Sequence, residues 1–260
     1  MAQQSRFVTI GSETVRIGAV DSLPPHELSR LEAISGPDSP LAELVQRRVD
    51  GEPLQYIEGS AAFGPLDLLV DERVLVPRPE TEALFDMAIR MVRNPEVVVD
   101  LCTGSGALAL ALKHSFPGAS VFATEISPEA LQVAEANKQR SGLEVYLAEG
   151  DLFDPLPAAL LGEVDLVVAN PPYVAVADMP SLPRDVQREP RIALVSGPTG
   201  LEIIQRIGAS VAEWLRPGGV VVCEIGEHQG VSATSSFVDL PAVVRQDMAG
   251  RDRYVVAVKP

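Results

Sequence analysis

The stretch Val97-Val98-Val99-Asp100-Leu101-Cys102-Thr103-Gly104-Ser105-Gly106, followed by Ala107-Leu108-Ala109-Leu110-Ala111-Leu112, leaves this chain few folds to choose from. An unbroken β-branched run reads as a strand buried on both faces, which belongs in a parallel sheet. The Ala/Leu run reads as a helix, and glycines stand between the two. Glycine lets backbone approach a ligand closely, and a helix N-terminus offers unpaired N–H groups. One strand later, Val121-Phe122-Ala123-Thr124 ends in Glu125, an acid suited to accept both hydroxyls of a ribose. Gly104-Ser105-Gly106-Ala107-Leu108-Ala109 also satisfies the dinucleotide fingerprint G-x-G-x-x-A, with an acid about twenty residues on. The loop alone therefore indicates an adenosine ligand without separating NAD from others.

A second motif narrows the choice. Asn170-Pro171-Pro172-Tyr173 follows the apolar run Val164-Asp165-Leu166-Val167-Val168-Ala169. Two prolines hold φ near about −65° and donate no hydrogen bond, so the turn is stiff and its carbonyls are free. Such a turn can grip a planar –NH2 group. The Asn170 side-chain oxygen and the Pro171 carbonyl accept its hydrogens, and the Tyr173 ring stacks on its face. Asp100 at one strand end and this tetrad after the fourth core strand tip the ligand to S-adenosylmethionine.

From Val97 onward strands and helices alternate, which predicts a mostly parallel sheet with helices on both faces. Ser127-Pro128-Glu129 starts a helix that ends before Gly142. Val145-Tyr146-Leu147 is the third strand, Gly200 to Leu215 a helix, and Val220 to Ile225 the fifth strand. Ala242 to Val244 and Tyr254 to Val258 complete the sheet. Upstream, Phe7 to Ile10 and Thr14 to Ile17 suggest a hairpin. Short helices follow from Pro25 to Leu31 and from Ser39-Pro40 to Gly51. Gln55-Tyr56-Ile57 and Leu66 to Val70 read as a connecting β-hairpin. The expected division is a small unit over 1–52, a hairpin linker over 53–78 and a catalytic domain over 79–260.

At this point the chain resembles the class I S-adenosylmethionine-dependent methyltransferases. Within them it is similar to the PrmC/HemK-type protein-glutamine N5-methyltransferases, which modify the Gly-Gly-Gln loop of peptide-chain release factors. The residues that carry the likeness run from Gly51 to the C-terminus. They include Gly51 to Ile57, Val76-Pro77-Arg78-Pro79-Glu80-Thr81-Glu82, the glycine loop, Asp151-Leu152-Phe153, the tetrad, Glu189-Pro190 with Ala193-Leu194, and Glu224-Ile225-Gly226. Amino-methyltransferases of DNA and RNA share the tetrad. The segment from Val76 to Glu82 makes the match specific.

The resemblance implies a seven-stranded Rossmann-like sheet whose last strand inserts antiparallel, with S-adenosylmethionine as methyl donor and a release factor as protein substrate. It implies cofactor contacts from Asp100, Cys102, Thr103, Gly104, Ser105, Gly106, Glu125, Asp151, Leu152 and Asn170. Asn170, Pro171 and Tyr173 are the expected catalytic residues, and with Pro172 they form the substrate grip. The family's N-terminal unit is a longer helical bundle than the one read here.

Composition agrees with an enzyme of this kind. Acidic residues number 36 against 21 Lys+Arg, a net charge of −15. A nucleic-acid enzyme needs a basic footprint, and the chain offers no Lys/Arg cluster beyond Arg47-Arg48. The acidity serves solubility or attraction to a basic partner. No apolar run approaches the roughly 18 residues of a membrane span, and the first residues lack the apolar core of a signal peptide. A cytoplasmic monomer is expected. Cys102 and Cys223 lack Cys-x-x-Cys spacing and read as reduced thiols, and His26, His114 and His228 form no ligand set, so no metal is expected. Three rival readings stay open: an amino-methyltransferase of a nucleic-acid base, a glutamine methyltransferase of a ribosomal protein, and a non-catalytic adenosine-binding or scaffold protein such as a dinucleotide binder.

Overall fold

The computed structural model describes residues 7–10, 13–16 and 23–260. Proline marks where several of its helices begin, because a proline in the first turn removes an N–H that would have no partner there. β1 (Phe7–Ile10) and β2 (Glu13–Arg16) pair antiparallel, Val8 opposite Val15, as the alternation predicts. Pro24-Pro25 then opens α1 (Pro25–Ile34), Pro40 precedes α2 (Leu41–Val49), and Pro53 precedes α3 (Leu54–Glu58). Leu31, Leu41, Leu44, Val45, Leu54 and Ile57 form one buried cluster among these three helices.

The third helix corrects an expectation. Gln55-Tyr56-Ile57 is not the first arm of a hairpin but the middle of α3. Three residues of alternation fit one helical turn as well as a strand. What decides is that Leu54 and Ile57, three apart, both enter the N-terminal cluster, while Gly59 at φ 72° ends the helix. The connecting hairpin is instead β3 (Ser60–Phe63) with β4 (Leu66–Leu69).

After α4 (Pro79–Met91) the αβ alternation runs as expected: β5 (Val97–Leu101), α5 (Ala107–Ser115), β6 (Ser120–Glu125), α6 (Pro128–Ser141), β7 (Tyr146–Glu149) and β8 (Val164–Ala169). The remaining strands and α-helices are β9 (Val174–Ala175), α7 (Arg191–Leu194), β10 (Val195–Gly197), α8 (Glu202–Trp214), β11 (Leu215–Glu224), α9 (Gly230–Thr234), β12 (Ala242–Gln246) and β13 (Asp252–Val258). The seven-stranded sheet has the order β12-β13-β11-β8-β5-β6-β7. β13 is antiparallel to both its neighbours, and the pairings from β11 to β7 are parallel. β11 includes Pro217-Gly218-Gly219, absorbed by a register break between Leu215 and Val220.

Two cores lie on the faces of this sheet. On one, α4 and α5 cover Val98, Val121, Leu166, Val168 and Val222. On the other, α8 covers Val99, Val167, Val221 and Cys223. Every residue of β8 is buried, including Asp165. That carboxylate accepts the Glu96 and Val97 N–H groups at 2.8 and 2.9 Å and Arg216 Nε at 2.5 Å, so it ties β5 to β11 at the end remote from the loops. The strand order reverses at β5. In such sheets the ligand crevice opens at the carboxyl ends of the strands beside the reversal, where Asp100, Glu125, Asn170 and Glu224 are placed.

Candidate active site

The glycine loop takes its shape from its backbone angles. Cys102, Gly104 and Gly106 all have positive φ, at 58°, 56° and 83°. For a side chain with a Cβ this conformation costs roughly 1–3 kcal/mol and is kept only where surroundings enforce it. Asp100 is the enforcing group. Its Oδ2 accepts the Thr103 hydroxyl at 2.6 Å and the Ala109 N–H at 3.1 Å, bracing the loop against the start of α5. Its Oδ1 is buried without a partner, and burial pushes the carboxyl up to about 7.

The two glycines differ in purpose. A Cβ on Gly104 would point into open space, so this position faces the ligand side. A Cβ on Gly106 would meet Leu110 and Ala134 at 3.3 and 3.4 Å, so its bareness lets α5 and α6 approach each other. Glu125, nearly buried, closes the loop from the neighbouring strand. Its Oε2 accepts the Gly104 N–H at 2.9 Å and its Oε1 accepts the Ser127 N–H at 3.1 Å. Burial nevertheless raises its pKa.

A cavity of 190 Å³ opens beside this loop. Of the residues expected from sequence, Cys102, Thr103, Gly104, Ser105, Glu125, Asp151, Leu152, Asn170 and Pro172 line it. Asp100, Gly106, Pro171 and Tyr173 do not. Asp151 is held by Arg206 of α8 at 2.7 Å, and Leu152 is a second non-glycine lining residue with positive φ, 50°. Sequence reasoning missed Arg206, Ile203 and Ile192, and Gly150, which at φ 156° has Pro155 packed within 2.9 Å of where a Cβ would lie. The helix itself was legible in the sequence as Gly200 to Leu215, but nothing in motif spacing shows that it packs against Asp151, 55 residues upstream of Arg206. Gly150 stands next to Asp151 and was there to be found.

The tetrad is clamped from behind. Asn170 Nδ2 donates to Thr81 Oγ1 at 2.9 Å, Thr81 donates to Glu224 Oε2 at 2.9 Å, and the Tyr173 hydroxyl donates to Glu224 Oε1 at 3.2 Å. Gln229 Nε2 donates to the Tyr173 carbonyl at 2.9 Å, and a Cβ on Gly200 would lie only 2.4 Å from that same oxygen. Tyr173 is thus anchored at both its hydroxyl and its carbonyl. Arg78 pairs with Glu189, a buried carboxylate pushed up to about 7, linking the segment before α4 to the chain after the tetrad.

Burial raises three carboxyls, Asp100, Glu189 and Glu224, to about 7. Between their unfolded values near 4 and pH 7 the native state binds more protons than the unfolded chain. Stability is therefore fully present below the unfolded pKa and is lost as pH rises through about 7. The cofactor-free protein should lose on the order of a few kcal/mol between pH 5.5 and 8.5, at about 1.4 kcal/mol per pKa unit per group. Urea midpoints at those pH values measure this. A midpoint that stays level or rises toward pH 8.5 contradicts it.

Comparison with known proteins places this geometry. The family model described as "Methyltransferase small domain" matches residues 83–187. A release factor glutamine methyltransferase of Moorella thermoacetica is 40% identical, over 90% of this chain and 86% of that protein. One of Mycolicibacterium smegmatis is also 40% identical, over 99% of this chain and 95% of that protein. Among solved structures, a methyltransferase from Pyrococcus furiosus superposes with a TM-score of 0.57 at 20% identity, covering 76% of this chain and 91% of that one. A 16S rRNA methyltransferase of T. thermophilus, solved with AdoMet and guanosine, gives 0.54 at 20% identity, covering 77% and 50%. These two likenesses establish the fold. The sequence relatives establish more: the chain belongs to the release factor glutamine methyltransferase family.

Proposed function

We propose that this chain transfers a methyl group from S-adenosylmethionine to the side-chain nitrogen of the glutamine in the Gly-Gly-Gln loop of a peptide-chain release factor. The observation that carries the reading is Asn170 on the cavity wall. Its Nδ2 is held by Thr81, and its Oδ1 accepts no hydrogen bond among the described residues.

The cavity residues fit the donor. Gly104 leaves room where a side chain would intrude, Cys102 to Ser105 offer backbone, and the Glu125 carboxylate retains lone pairs for the ribose hydroxyls. Asp151 and Leu152 suit the adenine end, and Asp100 supports the loop from beneath. When bound, S-adenosylmethionine supplies a methyl on a sulfonium, which is displaced in line, so positioning dominates catalysis. An amide nitrogen is a poor nucleophile because its lone pair is delocalised into the carbonyl. Accepting an N–H bond at Asn170 Oδ1, which is on the cavity wall, orients the nitrogen and favours pyramidal geometry, while the Pro171 carbonyl expected as the second acceptor lies off that wall. The attacked nitrogen becomes strongly acidic and releases its proton without a dedicated base.

The division of labour follows the chain. The first unit, expected over 1–52 and extended by α3 packing into its cluster, grips the body of the factor, the hairpin that follows links, and 79–260 carry the transfer. Arg48 bridges Glu27 and Asp185, and Arg188 donates to the Asp50 carbonyl, so the first unit is tied to the segment after the tetrad. Two glycines before the target let its loop extend into a narrow cleft without side-chain clashes. The acid excess steers a basic factor and slows association as salt rises. No helix among the described residues is long and apolar enough to cross a membrane, and the reaction belongs in the cytoplasm.

Mass spectrometry after incubation with release factor, ribosomal protein or DNA decides the substrate. The expected product is one methyl on the Gly-Gly-Gln glutamine, with a short peptide much poorer than the folded factor because remote contacts are lost. Methylation confined to ribosomal protein, DNA or another residue overturns the assignment.

A further inference from the structure

Glu224 is a carboxylate 1% exposed at the end of β11, and among the described residues it forms no ion pair. A buried acid without a directly paired counter-charge is costly, and an apolar residue of similar shape would avoid that cost. Both its oxygens are taken by hydroxyl donors from separate segments, Thr81 in the first turn of α4 and Tyr173 of the tetrad. Glu80, on the same helix turn as Thr81, and Arg253 of β13 act on it only through space.

The direction of each bond follows from proton counting. A threonine hydroxyl has one proton and two lone pairs. Above about pH 7, where Glu224 is ionised and accepts that proton, the Thr81 oxygen facing Asn170 can only accept. Asn170 must then turn its –NH2 toward Thr81 and its carbonyl oxygen away, into the cavity. Without the carboxylate the hydroxyl could donate to Asn170 instead, and the amide would rotate so that its –NH2 faced the substrate, donor against donor.

We propose that Thr81 and Glu224 are positioning residues that dictate which way round the Asn170 amide is held, and so whether the site can accept hydrogen bonds from the methyl acceptor. The proposal rests on the reading of Asn170 as acceptor of the substrate amide. Thr81 also lines the cavity, and the proposal assigns its effect to the bond it accepts from Asn170.

A double-mutant cycle tests this. Thr81→Val keeps the shape of the side chain and removes the hydroxyl, Thr81→Ser keeps the hydroxyl, and each is combined with Asn170→Ala. On whichever substrate the parent methylates, Thr81→Val should lower single-turnover rate by about 10-fold or more with acceptor KM nearly unchanged, whereas Thr81→Ser should stay within about threefold of the parent. In the Asn170→Ala background, Thr81→Val should cost little further, because residues acting through one another are not additive. Glu224→Leu should show the same dependence on Asn170, its folding checked by calorimetric binding of S-adenosylmethionine.

A second readout needs no substrate. The Asn170 side-chain amide resonances, assigned by their loss in Asn170→Ala, should show slowed proton exchange in the parent and Thr81→Ser and lose it in Thr81→Val. Equal losses in both backgrounds, or parental turnover and parental exchange in Thr81→Val, overturn the proposal. A parent that methylates something other than release factor overturns the substrate assignment alone, since the cycle and the exchange measurement still read Thr81.

Discussion

Asn170→Ala should lower turnover by about 10²-fold or more while leaving S-adenosylmethionine affinity nearly unchanged. The Asn170 side chain meets Thr81 on one side and the cavity on the other, and it makes no bond to the glycine loop that shapes the donor site. Its removal frees the target amide from its near-attack pose without disturbing Gly104 or Glu125. Asn170→Asp should be no better. The Thr81 proton is already given to Glu224, so a carboxylate at 170 would set lone pair against lone pair at the 2.9 Å contact. It would also add negative charge beside the transferring methyl. Single-turnover rates with saturating donor, paired with calorimetry, separate the two effects. An Asn170→Ala protein that turns over like the parent would show that the tetrad is only a rigid turn.

The second large effect is expected at Glu125. Glu125→Ala removes a nearly buried carboxylate that receives the Gly104 and Ser127 N–H groups, so the loop loses a brace and the ribose an acceptor. Charge-assisted hydrogen bonds are worth roughly 1.5–3 kcal/mol, so the dissociation constant for S-adenosylmethionine should rise about 10- to 150-fold. Glu125→Gln should not rescue it. Both oxygens already face N–H donors, and an amide would put its own –NH2 against one of them. Calorimetry with S-adenosylmethionine and NAD side by side gives the answer. Tight NAD binding by the parent, or an unchanged constant in Glu125→Ala, would refute the assignment of Glu125.

Reading the sequence first went furthest where chemistry is local. The valine runs of β5, β8 and β11 announce a sheet buried on both faces, because a strand with no solvent side has no reason to alternate. Positive φ at Gly104 and the stiffness of Pro171-Pro172 are properties of the residues themselves, so both motifs were visible as motifs. The helix over Leu54–Glu58 was misread because five residues carry too little periodicity, and its fate was settled by Leu31 and Leu44, which lie outside the window.

What the sequence determined by itself is therefore the αβ alternation, the ligand edge of the sheet, and the residues that meet there: a glycine loop, an acid one strand on, and an asparagine before two prolines. What only the tertiary structure decided is the function of each within that set. Asp100 and Gly106 turned out to build the loop and its packing, since a carboxylate and a bare Cα reveal their partners only when α5 and α6 are in place. Arg206 reached Asp151 from about fifty residues away, and Thr81 and Glu224 came together across 143 residues behind Asn170. Such pairings arise from how strands are ordered in the sheet. No local propensity encodes them, because the interaction does not exist until the chain has closed around it.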